Sequence, residues 1–394
     1  MDHYRCIMFL KEVFTFPIIA RLAFIWLVAS LFLFSDSIFI ESTLSNTMAI
    51  TVFFIILITI IIASYGAVAQ ADKLANLLGE PYGTLILTLS IVSIEVVLIA
   101  AMMLGPTELP SIGKDSIFSV MMIIMNLVIG LCILVGSAKH KEQNYNGSGA
   151  LTYIAMISIL GGFALILPNY IIGNGSGEFS FAQAMTIATL ILLIYAQFLK
   201  YQMTDYRHLY VQPESPHIIT ASSQTTNPKD EDLPISSNAV SSSRLVVYFR
   251  VFLLFLMILP IVLLSHDMAT IVDFGIRKAS LPPALGGVLI AIIVFIPESM
   301  TALNAALNNE FQRTINLCHG AFVSTVGLTV PTILFIGLLT SKTVRFGLNS
   351  TELVLFLLTL FLSLITFHGK RTSPILGMLH LALFALFILL LFNP

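Results

Sequence analysis

Two glutamates stand inside runs of sequence that are otherwise apolar. Glu95 lies within SIVSIEVVLIAAMML, which begins at Ser90, and Glu298 within AIIVFIPESMTALNAAL, which begins at Ala291. A carboxylate at membrane depth must be protonated, paired with a cation or turned toward water. The lysines and arginines fall near the ends of the apolar runs, so neither Glu has an evident fixed cationic partner at its depth. Two such carboxylates brought together make a hard oxygen site suited to Ca2+. The same oxygens can instead take up protons, which relieves the repulsion of like charges in an apolar place. Competition between one divalent cation and protons for a single set of oxygens is the chemistry of exchange.

The neighbours supply further oxygens. In Phe295-Ile296-Pro297-Glu298, proline has no N–H, so the carbonyl of Ile293 loses its helical partner and becomes a candidate cation ligand. Ser299 and Thr301 follow within a turn of Glu298, with Asn304 nearby. Around Glu95, Thr88 lies two turns earlier on the same face, with Ser90 and Ser93 in the same stretch. The next helices add Asn126 on one side and His319, Ser324 and Thr325 on the other. Each polar residue also has a plainer role, because Ser, Thr and Asn hold membrane helices together. His319 suits either a proton relay or a packed neutral ring.

Composition places these residues in a membrane. Of 394 residues, 57% are hydrophobic and 10% charged, and the mean hydropathy is +0.96. A soluble domain of this size would not carry such a surface. A net charge of -2, spread over short connections, does not mark a nucleic-acid binder. Cys6, Cys132 and Cys318 are scattered, with neither disulfide nor zinc spacing. No H-E-x-x-H, G-x-S-x-G or P-loop occurs, so no enzyme is expected, and no cofactor.

A hydrocarbon layer about 30 Å thick takes roughly 20 apolar residues per helix. Eleven stretches approach that length: 16-37, 46-69, 84-104, 116-136, 151-171, 179-200, 246-266, 283-306, 317-340, 351-367 and 373-392. The first is too long for a signal h-region and carries Arg21, which predicts a retained helix. The seventh and tenth are the weakest, one trailing into Ser265-His266-Asp267 and the other short. Of nineteen Lys and Arg, only Lys114, Arg277, Lys278, Lys342 and Arg345 fall on the face opposite the N-terminus. That bias predicts a cytoplasmic N-terminus and, with an odd number of helices, an external C-terminus.

Residues 201-244 are rich in Ser, Thr, Asn and Pro and read as a flexible cytoplasmic linker. Its acidic run Lys229-Asp230-Glu231-Asp232 reads as a solvated cluster. The linker divides the chain into an extra N-terminal helix (1-43), five helices (44-200) and five more (245-394). The second helix of each five carries the buried Glu, and an odd number makes the two sets enter from opposite sides. The expected fold is thus an all-α polytopic membrane protein of about eleven transmembrane helices, one extra N-terminal helix plus two inverted five-helix repeats. In secondary transporters that plan sets the substrate site at the midplane between repeats.

GEPYGTLILTLSIVSIEVVLIAAMM from Gly79 and IPESMTALNAALNNEFQRTINLCHGAFVSTVGLTVP from Ile296 resemble the two alpha-repeats of the calcium:cation antiporter superfamily, and more narrowly the bacterial ChaA-type calcium/proton antiporters. The resemblance covers most of the chain. It implies exchange of Ca2+ for H+ across the bacterial inner membrane, with Glu95 and Glu298 binding cation and proton in turn. As the alternative, it also implies Na+/H+ or K+/H+ exchange, with which ChaA-type members are associated. The chain departs from the broader pattern: Ile91-Val92 and Ile296-Pro297 stand where many members have Gly-Asn, and Ser324 where eukaryotic relatives carry Gln. Fewer amide ligands leave such a site dependent on carboxylates and backbone carbonyls.

Other ionisable groups read more plainly. His266, Asp267 and Asp273 suit an interface or an exit path, Glu80 a helix start, and His380 a structural place in the last helix. A passive cation channel would also use buried acids. Inverted repeats and the lack of a pore-loop signature weigh against it.

Overall fold

The computed structural model describes residues 15-34, 46-78, 82-104, 109-172, 177-213 and 237-393. Helices lie at every expected position: α1 Phe16–Leu33, α2 Asn46–Leu78, α3 Tyr82–Leu104, α4 Ile112–His140, α5 Gly147–Asn169, α6 Phe181–Met203, α7 Ser237–Lys278, α8 Leu285–Leu307, α9 Phe311–Thr340, α10 Ser350–Phe367 and α11 Pro374–Phe392. Among the described residues, nine are long and apolar enough to cross a membrane, and ten if the two parts of α8 form one span; α3 adds the shorter apolar stretch Val92–Leu104. Against eleven crossings read from sequence, nine or ten meet that measure. Within the expected linker, 201-203 complete α6 and Arg207–Tyr210 form a 3-10 turn, while α7 already begins at Ser237. Residues 214-236, with the acidic run, lie outside the described residues.

Local chemistry sets several boundaries. Asn146 caps α5 by accepting from the N–H groups of Ser148 and Gly149. Ser180 with Gln183 and Asn349 with Glu352 form capping boxes at the starts of α6 and α10. α8 bends by 49° between Leu285–Ile296 and Glu298–Leu307, the break falling at Pro297.

The inner pair of helices is α4 and α9. Buried residues make up 83% of the apolar window in α4 and 67% in α9, against 17% in α11, so these two form the centre and α11 the lipid-facing rim. Each turns to the opposite half of the chain: α4 packs on α8 and α11, and α9 on α3, α5 and α6. Glycine permits the closest approaches. A Cβ on Gly287 of α8 would lie 2.5 Å from the backbone of Asp115 and Ser116 in α4, and one on Gly130 of α4 would lie 2.9 Å from the carbonyl of Gly377 in α11.

Both central helices widen midway into a π-helical turn, Met122–Val128 in α4 and Thr325–Thr329 in α9. A π turn rotates the following side chains relative to an α-helix and is frequent at functional sites. α3 packs on the π turn of α9, and α8 on that of α4. At the two ends of the bundle, paired connections clip the halves together through Glu142 with Arg371 at 2.8 Å and Glu178 with Arg345 at 2.9 Å.

Candidate functional site

Glu95 on α3 and Glu298 on α8 are both buried, at 0% and 3% exposure. They are near enough for their charges to repel. Apolar packing holds them there: Ile94, Leu98 and Ile99 flank Glu95, and Val294, Phe295 and Ala302 flank Glu298. Thr325, the first residue of the π turn in α9, donates from Oγ1 to Glu95 Oε2 at 2.7 Å. Thr329 sets a second buried hydroxyl beside the same carboxylate without closing a hydrogen bond. Oε1 of Glu95 and both carboxylate oxygens of Glu298 have no hydrogen-bond partner among the described residues. Carboxylate oxygens buried in that way are costly unless a cation or a proton answers them.

The other expected residues fall into two groups. Those of α8 stay near Glu298: Ile293 is buried one turn before the bend, and Ser299 returns its hydroxyl to the carbonyl of Phe295 at 2.6 Å. Thr301 and Asn304, on the far side of Glu298 from the bend, line a cavity of about 290 Å³ with Tyr65, Val68 and Ala69 of α2 and Arg313 at the start of α9. On α8 its lining runs from Thr301 to Ala305, about one to two turns past Glu298. On α3, Ser93 is exposed and bonds back to the carbonyl of Leu89 at 2.7 Å. The side chain of Thr88 and the whole of Glu80 lie outside the described residues.

Asn126, His319 and Ser324 are engaged elsewhere. Asn126 is in the π turn of α4, but its amide donates to Thr359 Oγ1 at 2.9 Å and its Oδ1 meets His380 Nδ1 at 3.1 Å. His380 continues to Thr366 at 3.0 Å, so α4, α10 and α11 are joined by one buried polar chain. His319 is buried with its ring stacked on Tyr153 at 6.2 Å and edge-on to Phe367 at 4.8 Å. Ser324 accepts from Tyr195 of α6 at 2.8 Å and donates to the carbonyl of Gly320 at 2.9 Å. The hydroxyl that meets Glu95 thus belongs to the following residue, Thr325. Its only sequence signal is Ser324-Thr325 at membrane depth, and a step of one residue turns a side chain by about 100° around a helix.

His266 and Asp267 lie in α7 toward its far end, and Asp273 pairs there with Arg277 at 2.8 Å.

The family described as sodium/calcium exchanger protein matches this chain twice, over residues 48–204 and 247–393. The sodium-potassium/proton antiporter ChaA of Escherichia coli (strain K12) is 30% identical over 377 residues, covering 96% of this chain and 95% of its own length. A Ca(2+)/H(+) antiporter of Aphanothece halophytica is 20% identical over 265 residues, covering 65% of this chain and 68% of its own. Among solved structures, the H+/Ca2+ exchanger CAX superposes with a TM-score of 0.64 at 15% identity, covering 97% of this chain and 89% of that one. The shared fold is all-helical.

Proposed function

Because the chain belongs to the sodium/calcium exchanger protein family, as a multi-pass membrane cation exchanger, we propose that it exports Ca2+ from the cytoplasm in return for entering protons, with Glu95 and Glu298 as the shared site. One observation carries this reading: two buried carboxylates, from helices that each pack on the other half's π turn, keep three of their four oxygens without a protein partner among the described residues. The two carboxylates, the hydroxyls of Thr325 and Thr329 and the carbonyl of Ile293 offer oxygen only, as a hard cation requires.

In this mechanism the deprotonated pair takes a cation through the cavity beside Thr301 and Asn304. The helices then rock so that the site opens to the opposite face, and protonation there releases the ion. The chain is arranged as an extra helix and two inverted five-helix repeats, N-terminus in the cytoplasm and C-terminus outside. The two separate family matches and the reciprocal packing of α4 and α9 support that arrangement. Arg313 at the cavity mouth is held by Glu310 at 3.3 Å.

A second reading, exchange of Na+ or K+ for H+ on the same scaffold, is favoured by the 30% identity to the Escherichia coli sodium-potassium/proton antiporter. Fluorescence dequenching in everted vesicles, with Ca2+, Na+ and K+ added separately between pH 7 and 9, separates the two. Under the first reading Ca2+ dissipates the proton gradient at the lowest concentration. A response to Na+ or K+ without one to Ca2+ overturns it in favour of the second.

Thr325 gives a finer test. A hydrogen bond to a charged group contributes about 1.5–3 kcal/mol, or roughly ten- to a hundredfold in affinity. Thr325→Val is expected to raise the half-saturating cation concentration by about tenfold or more, and Thr325→Ser to restore it. An unchanged half-saturation in the valine variant would remove Thr325 from the site.

A further inference from the structure

Beyond the break at Pro297, the half of α8 that begins with Glu298 is short. Glu298–Leu307 spans fewer than three turns, and a helix of that length is marginal unless its ends are held. Asn308 and Glu310 return their N–H groups to the carbonyls of Asn304 and Ala305 at 3.0 and 2.9 Å. The last two carbonyls are answered from another helix. Gln143, in the connection after α4, donates from Nε2 to the carbonyl of Ala306 at 2.7 Å and reaches Oδ1 of Asn309 at 3.3 Å. Lys139 and His140, in the last turn of α4, both donate to the carbonyl of Leu307, from Nζ at 2.9 Å and from Nε2 at 2.8 Å. Three side chains of α4 and its connection thus cap the half-helix from outside, with an ammonium at its negative end.

The cap is itself fixed. The N–H of Gln143 donates to Thr372 Oγ1 at 3.0 Å, and its carbonyl accepts from the N–H of Thr372 at 3.1 Å, beside the Glu142–Arg371 pair. The Gln143 side chain lies across Gly136 of α4, where a Cβ would collide with Oε1. Oε1 is left buried and without a hydrogen-bond partner among the described residues. An unanswered buried acceptor costs about as much as such donated bonds contribute, so Gln143 adds little net stability. What it adds is place. The other end of α8 is also set on α4, through the close approach of Gly287 to Asp115 and Ser116, so the bend that presents Glu298 lies between two ends held by one helix.

We propose that Gln143, with Lys139 and His140, is a positioning group for the cation site: it anchors the Glu298 half of α8 to α4 and so keeps that carboxylate in reach of Glu95. The inference rests on the exchange site proposed above and adds to it residues that touch neither cation nor carboxylate.

The test is Gln143→Leu in the full-length protein, a change that removes the donors and the unanswered oxygen together. Its Tm in detergent is expected to stay within about 2 °C of wild type. Half-saturating Ca2+, or Na+ or K+ where wild type answers to those, is expected to rise about fivefold with the maximal rate changed by less than about twofold. The rise should be the same from the cytoplasmic face, in everted vesicles, as from the outer face, in right-side-out vesicles, because an anchor serves both. Should Gln143→Leu fail to fold, Lys139→Met, at an exposed position, is expected to raise half-saturation about twofold and Lys139→Arg, which keeps a donor, to restore it. Unchanged half-saturation, a lower Tm with a lost maximal rate, or opposite shifts at the two faces overturns the proposal. Amide hydrogen–deuterium exchange over 298–307 in cation-free detergent reads the anchor without transport. It is expected to quicken about fivefold in Gln143→Leu, and an unchanged rate overturns the anchor while leaving the two carboxylates in place. A wild-type protein that moves none of the three cations against protons sinks the exchange site instead, and the deuterium measurement then decides the anchor alone.

Discussion

Glu298→Gln is expected to abolish cation-driven proton movement in everted vesicles while leaving the protein folded and in the membrane. Both oxygens of Glu298 are buried without a hydrogen-bond partner among the described residues, so the charged form depends on a bound cation and the neutral form on a proton. A glutamine offers neither: it supplies one neutral oxygen to a cation and takes up no proton. Cation affinity in oxygen sites follows the number of charged ligands. At 1.4 kcal/mol per tenfold, a loss of about 3 kcal/mol already weakens binding by roughly a hundredfold. Glu95→Gln should be equally inactive, its remaining carbonyl still able to accept from Thr325.

Stability separates this outcome from misfolding. Removing a buried charge that has no protein partner relieves a desolvation penalty, so without added cation the Glu298→Gln protein should melt at or above the wild-type temperature. Added Ca2+ should raise the wild-type melting temperature and leave the variant unmoved. Wild-type flux in both glutamine variants would rule out the pair as the shared site.

The two carboxylates were legible because charge inside a long apolar run is rare and expensive, so Glu95 and Glu298 announce themselves against Ile, Val and Leu. The helices were legible for the same reason, since hydropathy over roughly 20 residues reflects the thickness of the bilayer. Detail finer than a helix turn was not. The π turns at Met122–Val128 and Thr325–Thr329 carry no composition of their own, yet they decide which side chain reaches across. Ser324 and Thr325 are chemically near-identical neighbours, and only the local winding turns one toward Tyr195 and the other toward Glu95. Asn126 stands at the depth of the two carboxylates in sequence, but distant His380 and Thr359 take up its amide, and that pairing depends on tertiary contacts. The early start of α7 at Ser237 is not legible in the sequence because Ser-Asn-Ala-Val-Ser-Ser-Ser has the composition of a linker.

Lys114→Met is expected to give the largest loss of stability for a single change outside the two carboxylates. Lys114 opens α4 and is 8% exposed. Its Nζ bonds both oxygens of Glu352, at 2.9 and 2.8 Å, and stands 3.0 Å from Oδ1 of Asp115. The cluster is closed by Ser111, which donates to Asp115 Oδ2 at 2.7 Å, and by the capping box in which Glu352 accepts from the N–H of Asn349 at 2.8 Å. One ammonium therefore balances two carboxylates and ties the first turn of α4 to the first turn of α10. Methionine fills the same volume and leaves two negative charges facing each other at low exposure. Breaking a buried pair from one side costs about 3–5 kcal/mol, and the residual exposure of Glu352 places this case at the lower end. Glu352→Gln in the same chain should recover part of the loss, because the amide oxygen still accepts from Asn349 while the repulsion is removed. Heating in detergent followed by size-exclusion chromatography reads both effects. A Lys114→Met protein that survives the wild-type temperature, or a double variant no more stable than the single one, would show that the ammonium is not what holds these helix starts together. The backbone contact of Gly287 with Asp115 and Ser116 extends the consequence to transport, since the same turn of α4 supports the helix that carries Glu298.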